Sequence, residues 1–233
     1  MKTARRAFLT TAALGVAGLA AAPAAAADKP AEDVSATEDL MREHGVLRRI
    51  LLVYENALRR IQIVPGVAMV PIFRKSATLV RKFVEDYHEK LEENFIFPRF
   101  EKRREMLPLV ATLRKQHEAG RKLTDRVIEA TDPSRLAALP RDVAFIDANP
   151  KFVPACRQFL RMYRPHAARE DTVLFPALHR ILTAAEMDKL GDQFEDEENR
   201  LFGQEGFERT VQQVADIEKQ LGILDLDQFT PKL

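Results

Sequence analysis

Apolar positions recur at helical spacing along four long stretches of this chain. After a Ser35-Ala36-Thr37-Glu38 capping box, Leu40, Leu47, Leu51, Tyr54 and Leu58 step along one helix face, and His44 fills the vacant place in the series. Val64-Pro65-Gly66 and Pro71 end that helix. A second is predicted from about Pro71 to Arg103, with Val80, Val84, Leu91 and Phe95 on one stripe and His88 and Glu92 on the same stripe. The third spans about Leu107 to Ala130, carries Leu113, His117, Thr124 and Val127, and stops at Asp132-Pro133. The fourth, from about Pro150 to Leu182, is expected to bury Phe159, Met162, His166, Glu170 and Val173 or Leu174. A second capping box, Thr183-Ala184-Ala185-Glu186, starts a helix to about Leu201, and Gly203 and Gly206 separate it from a last helix ending near Leu221. Asn-Gly and Asp-Gly hairpin signals are absent, and no stretch alternates as a strand does. The pattern therefore predicts an all-α fold: an up-down-up-down four-helix bundle over residues 35–182, two further helices in an extension over 183–222, and a tail over 223–233.

The polar exceptions on those apolar faces repeat. His88, Glu92, Glu93, Phe97 and Pro98 have the same spacing as His166, Glu170, Asp171, Phe175 and Pro176. Each set follows another lone histidine, His44 lying 44 residues before His88 and His117 lying 49 before His166. A residue four positions along a helix sits one turn up on the same face, so each His-x-x-x-Glu aims an imidazole and a carboxylate the same way. Four of the chain's five histidines thus occupy places where a core residue is expected, one per long helix. Antiparallel packing brings them to one level of the core, and the pairing of helices makes the site pseudo-symmetric.

Composition narrows the setting. Arg5-Arg6-Ala7-Phe8-Leu9, an apolar stretch from Leu9 to Leu19, and Ala25-Ala26-Ala27 before Asp28 read as a twin-arginine export signal over residues 1–27, with a linker over 28–34. The expected location is the periplasm, reached by the folded protein. Loss of that segment takes Lys2, Arg5 and Arg6 away and moves the net charge from +1 to −2, which gives no basic surface for nucleic acid. No other stretch approaches the roughly 20 apolar residues of a spanning helix, so no stable membrane insertion is expected after cleavage. Cys156 is the single cysteine, which excludes an intrachain disulfide and reads as a small buried apolar residue.

Four imidazoles and two carboxylates are the donor inventory of a paired transition-metal site. His44, His88, Glu92, His117, His166 and Glu170 are the candidate metal ligands, with the two glutamates as bridges and the histidines as terminal ligands. Mixed nitrogen and oxygen ligation suits a pair of iron or manganese ions joined by an oxo or hydroxo bridge, with zinc a contaminant metal. His179, about 220° around the helix from His166, is expected to face solvent. Glu93 and Asp171, about 140° from their histidines, read as a solvated face, with Asp171 the alternative bridge to Glu170. Glu89 and Glu118 follow candidate ligands directly and read either as acceptors for an imidazole N–H or as exposed charge. Tyr163, one turn before His166, reads as a core tyrosine within reach of the site, and the Phe-Pro pairs as its apolar cover.

These residues resemble the hemerythrin-like family, also called the HHE cation-binding domain, over about residues 38–182. The resemblance implies a four-helix bundle with a non-haem di-iron centre that binds or reduces a small oxidant such as oxygen, peroxide or nitric oxide, supplied with electrons by an unknown redox partner. The alternative it leaves is a metal-binding, storage or sensing module without turnover. One departure bears on the choice: oxygen-carrying hemerythrins place a further histidine four residues after the one on the third helix, and this chain has Arg121 there.

Overall fold

The computed structural model describes residues 34–61, 63, 68–140 and 142–232. The export signal and nearly all of the linker fall outside the described residues. Six long helices carry the described chain: α1 (Ala36–Ile61), α2 (Val70–Arg103), α3 (Leu107–Ala130), α4 (Phe152–Ile181), α5 (Ala184–Phe202) and α6 (Gly206–Leu221). No strand occurs among the described residues. Both capping boxes form. The Ser35 amide donates to Glu38 at 2.9 Å and the Glu38 amide to Ser35 Oγ at 3.3 Å, and Thr183 and Glu186 repeat the exchange at the start of α5. Two short turns, Pro133–Ala137 and Phe145–Ala148, fill the connection between α3 and α4.

Pairwise contacts fix the directions of the bundle helices. Tyr54, late in α1, packs on Phe73, early in α2, whereas His44, early in α1, meets His88. Glu93 reaches His117 and Glu85 reaches Thr124, so α3 runs against α2. Similarly Tyr54 packs on Phe159, while His44 bonds Asp171 further along α4. Every neighbouring pair around the ring is therefore antiparallel. The predicted stripes of α1 and α3 are buried throughout. On α2 and α4 the stripes drift: Phe95 and Met162 are only half-buried and Ile96 and Tyr163 take the core positions, while of Val173 and Leu174 it is Leu174 that is buried.

The drift past Glu92 has a local cause. The Phe97 amide donates to the Glu92 carbonyl and the Phe175 amide to the Glu170 carbonyl, five residues back rather than four. Pro98 and Pro176 follow directly, and a proline ring inside a helix crowds the carbonyl four residues before it and supplies no N–H. Widening the preceding turn relieves that crowding and rotates the downstream face by part of a turn. A longer wide-turned stretch, Val80–His88, precedes the first glutamate.

α5 and α6 lie across α1 and α2. Arg49 grips Glu218 through two bonds, Nε at 3.0 Å and a terminal nitrogen at 2.6 Å, and Phe202 packs edge-on against Tyr87 at 5.4 Å. Arg42 lies over the Phe207 ring at 4.5 Å. No described helix is long and apolar enough to cross a membrane.

Candidate metal centre

Each helix of the bundle delivers one histidine, and α2 and α4 each add a glutamate one turn further on. All six candidate ligands are buried, Glu92, Glu170 and His117 completely. Their inward atoms form a closed ring. His44 and His88 face each other Nε2 to Nε2 at 3.1 Å, and His117 and His166 do the same at 3.2 Å. One Glu92 oxygen stands 3.9 Å from His88 and 3.4 Å from His117, and one Glu170 oxygen 3.3 Å from His44 and 3.1 Å from His166. Each carboxylate therefore spans from one histidine pair to the other, the position a bridging ligand requires. Donor atoms of Glu92, His117, His166 and Glu170 all lie within 4.8 Å of one another, and those of His44, His88 and Glu92 do likewise.

Outward, every imidazole Nδ1 meets an oxygen acceptor: His44 meets Asp171 at 2.6 Å, His88 meets Glu43 at 2.7 Å, His117 meets Glu93 at 3.1 Å and His166 meets Gln116 at 2.9 Å. An acceptor there places the ring proton on Nδ1, which leaves the Nε2 lone pair pointing inward. With every imidazole neutral, four lone pairs and two carboxylates converge and repel one another, and no described residue outside the ring donates to either oxygen of Glu92 or Glu170. Buried polar atoms left so are costly unless a cation satisfies them. The donor set fits a pair of such ions.

Ionisation follows the same crowding. Burial and the facing charge of Glu170 raise Glu92 well above the ordinary carboxylate range, whereas His166 and His44 overcome burial and hold Glu170 well below it. Burial opposes charge on His44, but the bonds and charges of Asp171 and Glu170 prevail and push it up to about 9. His117, for which burial prevails, falls to about 4. Protons therefore occupy part of the ring when no metal does, and metal must displace them.

The apolar cover is in place. Phe97 stacks on His117 at 5.5 Å and Phe175 on His44 at 5.6 Å, each delivered across the core by the wide turn before its proline. Glu93 and Asp171 do not form a solvated face, and Asp171 is not a bridge: both are the outer partners of imidazoles on neighbouring helices. An angle measured on one helix says nothing of what the next helix brings opposite. Glu43 and Gln116, each adjacent in sequence to a candidate ligand, complete that outer layer and were visible only as that adjacency. Glu89 serves no imidazole; it is buried against Tyr163 Oη at 2.7 Å and Arg121 at 2.8 Å, while Glu118 is exposed. Arg121 also reaches Glu93 at 2.6 Å, so the residue standing at the further-histidine position braces the outer layer. Tyr163 is a core residue whose hydroxyl passes over Gly120, where a Cβ would sit 1.9 Å from it. His179 is exposed and bonds Thr37 at 2.6 Å, outside the ring.

The sequence model described as the hemerythrin HHE cation binding domain matches residues 35–178. Uncharacterised proteins of Mycobacterium bovis and of two strains of Mycobacterium tuberculosis are each 47% identical over 199 residues, which is 85% of this chain and 74% of theirs. No solved structure gives a significant match.

Proposed function

The chain belongs to the hemerythrin HHE cation-binding family, and from that premise we propose that it holds two iron ions and uses them to bind or reduce a small oxidant: oxygen, peroxide or nitric oxide. The ring in which Glu92 and Glu170 each span both histidine pairs carries this reading. His44 and His88 would hold one ion and His117 and His166 the other. When bound, such a pair supplies two one-electron redox centres with room for a small ligand. The chain's own part is to fix the donors in place: the Nδ1 acceptors lock each imidazole's tautomer and orientation, and Phe97 and Phe175 keep water off two of the rings.

Reduction of the oxidant is favoured over plain carriage because the inner donor sets of the two halves match, two imidazoles and two shared carboxylates each, and because Arg121 is engaged by Glu89 and Glu93 rather than replaced by a fifth imidazole. Metal analysis of the purified protein should find about two ions per chain, chiefly iron. One ion per chain, with Glu92→Ala harmless to loading, would overturn the bridged arrangement. The anaerobically reduced protein, once mixed with peroxide or with oxygen, should oxidise within the mixing experiment. A long-lived oxygen complex that releases oxygen unchanged would return the protein to the carriers.

Export to the periplasm belongs to the same proposal, supported by the Arg5-Arg6 motif and the Ala25-Ala26-Ala27 site. Arg5→Lys with Arg6→Lys should hold the precursor in the cytoplasm, as fractionation would show; full processing of the double variant excludes the twin-arginine route.

A further inference from the structure

The four imidazoles are alike toward the centre and unlike behind it. In the half built by α1 and α2, His44 is backed by Asp171, which Arg48 pairs, and His88 is backed by Glu43. Glu43 is buried, and its other oxygen has no partner among the described residues. In the half built by α3 and α4, His117 is backed by Glu93, which Arg121 and Lys90 both pair, and His166 is backed by the neutral amide of Gln116. Arg121 also reaches Glu89, so this half has no outer carboxylate without a cationic side chain beside it. The other half sets two carboxylates against one guanidinium, and no lysine or arginine among the described residues pairs with Glu43. Behind the imidazoles themselves, Glu43 against Gln116 is the difference in kind.

A carboxylate behind an imidazole makes it a stronger donor, and an uncompensated buried charge also attracts the cation directly. We propose that the two halves load unequally: the His44/His88 half binds a divalent cation first, and the residue that sets the order is Gln116, the neutral member of the outer layer. This rests on the reading of the ring as a two-ion site. The two ions would then differ in their surroundings although their inner ligands match, so the pseudo-symmetry of the sequence stops at the second layer. Gln116 and Glu43 act here as positioning residues, through the imidazoles they hold.

Zinc titration of the metal-stripped whole chain tests this, followed by the imidazole ¹H–¹⁵N resonances. One equivalent should shift His44 and His88 and leave His117 and His166 at their free positions; the second equivalent should shift the other pair. Gln116→Glu should strengthen the weaker step about 10- to 100-fold and spread the first equivalent over both pairs. Glu43→Gln should weaken the stronger step by a similar factor, which removes or reverses the order. Either an even distribution of the first equivalent in the wild type or an order untouched by Gln116→Glu overturns the proposal. Imidazole resonances that stay unmoved at two equivalents would instead overturn the two-ion reading beneath it. Gln116→Glu is a gain of affinity, which a misfolded variant does not deliver.

Discussion

Two glycines of this molecule sit inside bundle helices for different reasons. Nothing lies within 4 Å of a Cβ placed on Gly45, so Gly45→Ala should stabilise the protein by about 0.5–1 kcal/mol through helix propensity alone. A Cβ on Gly120 meets the Tyr163 hydroxyl at 1.9 Å and the ring carbon behind it at 2.7 Å. Gly120→Ala should therefore push Tyr163 off Glu89 and cost about 1–3 kcal/mol. Urea unfolding of the two variants side by side checks both signs. Glu85, buried between α2 and α3, accepts from Thr124 at 2.5 Å and pairs with Arg81 at 3.0 Å. Burial outweighs these partners and raises its pKa above the ordinary 4.5. A carboxyl raised on folding contributes stability that is full below its unfolded value and is lost as pH climbs through the folded one. Glu85→Gln, which keeps an acceptor for Thr124, should thus be more stable than the wild type near neutral pH and lose that advantage near about pH 4. Unfolding midpoints measured across that range decide it.

At the scale of the helices, most of the architecture was legible before any coordinates. The lengths of α1 and α3, both capping boxes and the histidine on each bundle helix follow from apolar spacing and end signals. The wide turns did not, because a strict helical period carries no allowance for an extra residue per turn. Their trace was nonetheless in the sequence, as Pro98 and Pro176 at matched offsets; the prolines were legible as apolar cover and not as a backbone device. Restoring the N–H at one of them tests that function. Pro176→Ala should let the turn from Glu170 to Phe175 close to the ordinary width, turning Phe175 away from His44. Thermal unfolding of the metal-free variant should show a midpoint equal to or above the wild type, while calorimetry shows cation affinity reduced several-fold. A variant that loses both stability and affinity would mean that the wide turn is maintained by packing rather than by proline.

For the molecule as a whole, the outer layer marks where sequence reading runs out. The six candidate ligands stand on predicted core stripes and could be assembled from one-dimensional spacing. Their partners could not, since Asp171 on α4 serves a histidine of α1, and Glu93 on α2 serves one of α3. Such pairings exist only once the helices are placed side by side. The inner ring shows the opposite economy. Each face-to-face histidine pair comes from two helices consecutive in the chain, and each of these hairpins also supplies one of the two spanning glutamates. The molecule is thus divisible. A chain cut in the α3–α4 connection, which carries none of the six, still leaves the pieces sharing a core; but a cut in the segment between α2 and α3 separates two fragments of equal donor content, each with two imidazoles and one carboxylate. Co-expressed, residues 28–105 and 106–233 should reassociate, and zinc should tighten their association in gel filtration, because neither fragment can close the ring alone and each holds the carboxylate that the other's cation lacks. Metal then acts as the clasp between two half-molecules, and a chelator should open it.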